Sequence, residues 1–129
     1  MSRVLIVDDN EDNLRIGQKL LEKFGCNVEV ADDGEIAVEK TLRGQFDMVF
    51  MDCLMPGMDG YAATRQIRCR EMPDQHIPII AMTANAMKGD REKCLKAGMD
   101  DYVPKPINRK LLREVVQRWR QSGLPATTE

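Results

Sequence analysis

Short, nearly continuous apolar runs alternate along this chain with longer stretches in which apolar residues recur every three or four positions. The runs cover 3–7, 27–31, 48–51, 78–82 and 100–103, and turn residues bound each of them. Runs this short, rich in β-branched and apolar residues, suit strands buried on both faces of a sheet. The second run, Asn27 to Ala31, alternates more and is expected nearer an edge. Between them the spacing predicts five helices. The first should bury Leu14, Gly17, Leu20, Leu21 and Phe24 and stop at Gly25. The second should bury Ile36, Ala37, Val38 and Leu42 and close at Gly44. The third should bury Tyr61, Thr64 and Ile67 and end near Pro73. The fourth, about 88–97, has only Cys94, Leu95 and Ala97 for an inner face and is expected to be among the more mobile elements. The last, capped by Asn108, turns Leu111, Leu112, Val115, Val116 and Trp119 inward. Residues 122–129 form a polar tail, expected to fray.

Five strands alternating with five helices through short connections predict an α/β fold, a doubly wound parallel sheet with right-handed crossovers. Order 2-1-3-4-5 would bring the ends of the first and third strands together at a topological switch point, where such sheets bind ligands. Asp8 and Asp9 close the first strand and Asp52 closes the third. One aspartate after a strand is usually a turn residue. Three converging are harder to dismiss, because two carboxylates ~4 Å apart at an effective dielectric near 20 repel by about 4 kcal/mol. Raised pKa values or a bound cation must offset that. Hard oxygen ligands without clustered His or Cys select Mg²⁺ rather than zinc. Thr83 follows the fourth strand with a hydroxyl, and Lys105 follows the fifth with an ammonium. Read singly, these are a cap and a solvated cation. Read with the carboxylates, they suit a tetrahedral dianion, and the chemistry that fits is phosphoryl transfer with Asp52 as the nucleophile.

Composition narrows the function classes. At 129 residues the chain has room for one domain with helices on both faces of a sheet. A formal net charge of −2 argues against nucleic-acid binding as its main business. The basic residues Arg109, Lys110, Arg113, Arg118 and Arg120 read as a solvated face. No apolar run approaches the ~20 residues of a membrane span, and the N-terminus lacks a secretory signal pattern. Cys26, Cys53, Cys69 and Cys94 have no CxxC spacing and read as free thiols of a reducing cytosol, which places the chain in the cytoplasm. His76, in the Pro-flanked loop 72–78, reads as a solvated loop residue.

Four pieces in order, VLIVDDN over 4–10, MDCLMPGMDG over 51–60, MTA over 82–84 and DYVPKP over 101–106, resemble receiver domains of two-component response regulators. The resemblance spans roughly residues 2–121, and the ordered set is far more specific than any one piece. It implies the flavodoxin-like (βα)5 sheet and Asp52 as phosphoacceptor. It further implies Asp9 and the Leu54 carbonyl as direct Mg²⁺ ligands, with Asp8 acting mainly through water. Lys105 would pair with phosphoryl oxygens, beside a cis Lys105–Pro106 bond. Thr83 would move toward the phosphoryl group and Tyr102 would turn inward, reshaping the surface of the fourth helix, fifth strand and fifth helix. The implied donor is a histidine kinase or histidine phosphotransfer domain, and the implied output is contact with another protein. Leu54 and Asn85 would line the approach to the phosphoryl group. The words around Asp52 and the stretch MTANAM over 82–87 resemble receivers fused to hybrid histidine kinases, so both an excised domain and a stand-alone regulator starting at Met1 are open.

Two other readings compete. An aspartyl phosphohydrolase of the haloacid-dehalogenase type would need an acid/base carboxylate two residues after the nucleophile, where this chain has Leu54. A receiver-like scaffold that takes no phosphate is disfavoured, since every required side chain is present.

Overall fold

In the computed structural model, the described residues are 2–72, 74–84 and 88–122. Five strands alternate with five helices: β1 (Arg3–Val7), α1 (Glu11–Lys23), β2 (Asn27–Ala31), α2 (Gly34–Arg43), β3 (Met48–Asp52), α3 (Gly60–Arg70), β4 (Ile79–Thr83), α4 (Lys88–Ala97), β5 (Asp101–Pro104) and α5 (Arg109–Ser122). The strands form one parallel sheet in the order β2-β1-β3-β4-β5. Helix stop Pro73, the segment 85–87 and the tail beyond Ser122 lie outside the described residues.

Successive strand residues point to opposite faces, so one continuous apolar run serves two helical layers. Leu5, Val7, Val49, Met51, Ile79 and Ala81 pack with α2, α3 and α4, through residues such as Val38, Ala63, Ile67 and Cys94. Val4, Ile6, Met48, Phe50, Ile80 and Met82 pack with α1 and α5, through Leu14, Leu21, Leu112 and Val116. The half-buried β2 sits at one edge, as its alternating pattern predicts.

The starts of α1, α2, α3 and α5 are each set by a short polar side chain just beyond a strand or its loop, which accepts a backbone N–H that the first turn would leave unpaired. Asn10 accepts from Asn13, Asp33 from Ile36, Asp59 from Ala62 and Asn108 from Leu111. Gly25 ends α1 at φ 87°, a backbone conformation that favours glycine.

Three helices bury a face rotated from the expected one. In α2, Ile36 and Leu42 reach the surface while Thr41 is buried with Ala37 and Val38. In α4, Leu95 is exposed, leaving Cys94 and Ala97 as its buried residues among those described. In α5, Leu111 is exposed while Leu112, Val115 and Val116 are buried. The cause is shared. Each exposed apolar residue is the neighbour of a buried one (Ala37, Thr41, Cys94 or Leu112), and a step of about 100° around the helix carries it past the rim of the buried face.

Candidate functional site

The sheet order puts the carboxyl ends of β1 and β3 side by side, flanked by the ends of β4 and β5. A cleft of about 580 Å³ opens there, lined by Asp8, Asp9, Asp52, Leu54, Thr83 and Lys105 among others. All six residues singled out as acceptor, cation-binding or phosphoryl-binding positions therefore come together. Tyr102 does not line this cleft; it is half-buried on β5, with the Arg91 guanidinium 5.8 Å from its ring centroid.

The backbone explains the convergence. The Asp8 N–H donates to Ala31 O (3.1 Å), which ties the end of β1 to the end of β2. The Cys53 N–H donates to Met82 O (3.1 Å), which holds the β3 terminus against β4. The Lys105 N–H donates to Thr83 O (2.7 Å), fixing the lysine next to the threonine hydroxyl strand. Its peptide bond to Pro106 is cis, as the family resemblance implied.

Asp8 and Asp52 are almost fully buried, whereas Asp9 is exposed. One oxygen from each of Asp8, Asp9 and Asp52 lies within 4.8 Å of the others. Lys105 Nζ donates to Asp52 Oδ1 (3.0 Å) and stands 3.2 Å from Asp8 Oδ2 as an ion pair without hydrogen-bond alignment. Asp8 Oδ1 accepts from the Asn10 N–H (2.9 Å). That leaves Asp8 Oδ2 and Asp52 Oδ2 buried with no hydrogen-bond partner among the described residues. Orphaned acceptors of this kind are rare in folded proteins and are commonly explained by an ion or water. One ammonium against three carboxylates leaves a net negative charge, and an all-oxygen donor set fits a hard divalent cation.

The electrostatics follow from this geometry. Burial pushes the Asp52 carboxyl up to about 6, against the hydrogen bond from Lys105, and the Asp8 charge adds to the rise. Burial alone would depress Lys105, but the Asp52 and Asp8 carboxylates outweigh it and hold the ammonium above its usual range. Burial also takes the neighbouring Cys53 thiol up to about 12, against a hydrogen bond to Tyr61, so it is an inert packing group beside the acceptor.

Sequence reasoning missed several features. Asn13, Tyr61 and Lys93 also line the cleft. Asn13 and Tyr61 stand close to quoted motifs, but Lys93 lies mid-helix with no local signal. His76 is exposed as expected, yet its ring nitrogen lies 2.7 Å from Asp100 Oδ1. Two residues of the basic group are more than solvated charges: Arg118 pairs with Asp101, and Arg120 donates to Ser2 Oγ and Phe24 O. A larger hollow of about 680 Å³ lies at the other end of the sheet, between residues 41–47 and 70–78. Among the described residues the one metal-competent cluster is in the smaller cleft.

Residues 4–117 match the family model of the response regulator receiver domain. The sensor protein GacS of Pseudomonas syringae pv. syringae is 45% identical over 119 residues, covering 91% of this chain and 13% of that protein. The signal transduction histidine-protein kinase BarA of Escherichia coli is 43% identical over 118 residues, again 91% of this chain and 13% of the relative. This chain thus spans a small part of the curated relatives it matches. Among solved structures, the receiver domain of the sensor histidine kinase PA1611 from Pseudomonas aeruginosa superposes with a TM-score of 0.83 at 45% identity, covering 92% of this chain and 96% of that one. That crystal structure has a magnesium ion coordinated in the active site cleft. A co-crystal structure of the Saccharomyces cerevisiae histidine phosphotransfer protein Ypd1 with the receiver domain of Ssk1 gives a TM-score of 0.87 at 30% identity, covering 97% and 93% of the two chains.

Proposed function

The chain belongs to the response regulator receiver domain family, and from that premise we propose that Asp52 accepts a phosphoryl group from a phosphohistidine donor in a Mg²⁺-dependent reaction. The observation that carries the proposal is the state of Asp52 at the wall of a shared acidic cleft: one oxygen is held by Lys105, and the other is buried without a hydrogen-bond partner among the described residues. The donor is a histidine kinase or histidine phosphotransfer domain, and the output is contact with a partner protein. Support comes from the kinase relatives and from the Ssk1 receiver seen with its phosphotransfer protein.

Asp8, Asp9, Asp52 and the Leu54 carbonyl would hold the magnesium ion. When bound, it would neutralise the carboxylates and draw phosphoryl oxygens toward Asp52. Asp52 Oδ2 then forms the O–P bond as the N–P bond to the donor imidazole breaks, and the leaving imidazole keeps that electron pair and takes up a proton. Lys105 fixes the Asp52 carboxylate before transfer and pairs with phosphoryl oxygens afterwards. Thr83, at the end of β4, supplies a hydroxyl to the same group. Phosphorylation turns one negative charge into about two and adds strong acceptors, which biases a two-state equilibrium of the loops bearing Thr83 and Lys105. Tyr102 turns inward in the activated state, altering the α4-β5-α5 face. The chain catalyses its own phosphorylation and dephosphorylation in this reading, working over residues 1–121 with 122–129 as a tail. The free, mostly buried thiols support a cytoplasmic setting.

The test is incubation with acetyl phosphate and Mg²⁺, followed by intact mass and site mapping. One added phosphoryl group at Asp52, lost in Asp52→Ala and on chelation, is the expected result. Modification at another residue, or steady turnover of simple phosphate esters, would overturn it.

A further inference from the structure

Helix α4 presents a cation to the acceptor cleft that neither sequence pattern nor family motif marks. Lys93 lines the cleft together with Asp52, Thr83 and Lys105, and its Nζ lies 5.0 Å from the centroid of the Tyr61 ring. Tyr61 is itself buried, in the same core cluster as Cys53, the residue next to the acceptor. Lys93 thus rests on an aromatic face at the wall of the site, linked to Asp52 through two residues, Tyr61 and Cys53. An exposed cation–π contact of this type is weak, about 0.5–1 kcal/mol, so it holds the ammonium without committing it. No described carboxylate forms an ion pair with it.

We propose that Lys93 is a second phosphoryl-binding cation, resting on Tyr61 in the unmodified protein and reaching the phosphoryl group once Asp52 carries it. The inference rests on the acceptor role given to Asp52 above. Two features of α4 make the move consequential. Its buried residues among those described are Cys94 and Ala97 alone, so little packing resists a small displacement of the helix. Lys93 is rooted next to Cys94, whose thiol lies 3.9 Å from the Cys53 sulfur. A pull on Lys93 therefore acts directly on the contact between α4 and the end of β3. The phosphoryl group gains a cation delivered by α4, and α4 gains a tether that exists only in the modified state. Binding that differs between two states is what shifts their populations.

Beryllofluoride with Mg²⁺, a non-covalent mimic of the phosphoryl group, gives a readout independent of turnover. Fluorine NMR and calorimetry should show Lys93→Met binding it about fivefold more weakly than the parent, a factor in keeping with one partly exposed ion pair. The bound fluorine resonances should shift, because a cation next to one fluorine is gone. Lys93→Arg should restore the affinity, and Lys96→Met, which removes an equal charge from the same helix away from the cleft, should bind like the parent. Equal affinity and unshifted resonances in Lys93→Met would overturn the inference while leaving the acceptor role standing. An equal loss in Lys96→Met would overturn it too, by showing that only net charge matters. A parent chain that binds no beryllofluoride yet is phosphorylated elsewhere would remove the acceptor reading and this inference together.

Discussion

Asp52 is held by Lys105 through one oxygen, and the other is buried with no hydrogen-bond partner among the described residues, so ionising it in the fold is unfavourable. Its folded value of about 6 lies above the 3.8 of a free carboxyl, and the folded chain therefore binds this proton more tightly than the unfolded chain. The sign follows: stability falls as pH rises from about 4 to about 6, and the deficit persists at higher pH. In chelator, Asp52→Asn should be more stable than the parent by roughly 1–3 kcal/mol at neutral pH and indistinguishable from it below about pH 4. Urea titrations at several pH values check this, and a difference independent of pH would contradict it. Leu54, largely exposed on the wall of the cleft, is the second residue-scale case. An apolar group cannot orient an attacking water, so Leu54→Asn should hydrolyse the acyl phosphate faster, by about two- to fivefold if one hydrogen bond is gained. Slower loss of phosphate, followed by intact mass, would show that the side chain does something other than hinder water.

At the level of elements, the link between β3 and α3 leaves no room for a side chain at position 60. Gly60 opens α3 and donates its N–H to Cys53 O (3.0 Å), and a β-carbon there would overlap the Asp52 carbonyl. Backbone atoms at the end of a buried strand cannot give way as the tip of a side chain can. Gly60→Ala should therefore lower stability by about 2–4 kcal/mol and weaken phosphoryl acceptance with it. Gly89, inside α4, offers the contrast, since a β-carbon there meets nothing within 4 Å. Gly89→Ala should be neutral or stabilising by about 0.5–1 kcal/mol, through helix propensity alone. Denaturant midpoints of the two variants measured side by side test whether the close approach, rather than glycine itself, is what matters.

Across the whole molecule, the two ends of the sheet do different work. The carboxyl ends gather carboxylates with partnerless oxygens among the described residues; at the amino ends Glu71 and Asp100 are tied into a hydrogen-bonded network around Arg68. Arg68 on α3 donates to Gly98 O (2.9 Å), Ile77 O (2.8 Å), Glu71 Oε2 (2.9 Å) and Asp100 Oδ2 (2.7 Å), joining α3 to the entries of β4 and β5. Asp100 and Glu71 in turn accept the N–H groups of Ile79 and Ile77. Arg68→Ala leaves two largely buried carboxylates without their cation and should cost about 3 kcal/mol. The folded protein should still take up phosphate at Asp52, because the network sits at the far end of β4 from Thr83. Thermal melting paired with the acetyl phosphate assay separates the two effects; lost acceptance in fully folded Arg68→Ala would show that the ends are coupled.

The order 2-1-3-4-5 and the part of Leu54 came with the resemblance to receiver domains; the apolar runs and the residues that close them were enough to determine the five βα units and the strand ends that carry Asp8, Asp9, Asp52, Thr83 and Lys105. These are local patterns, and strand ends in a parallel sheet all face the same way, so reading each end in turn locates the cleft. Other features belonged to the folded arrangement alone. Which of Ile36, Val38 and Thr41 faces the sheet depends on how α2 seats against β1, β2 and α3, and several rotations satisfy the pattern equally. The Arg68 network, the overlap that requires glycine at position 60, and Lys93 on the ring of Tyr61 are contacts between elements distant in sequence. Their distances are set by how helices pack on the sheet, a quantity no single segment encodes.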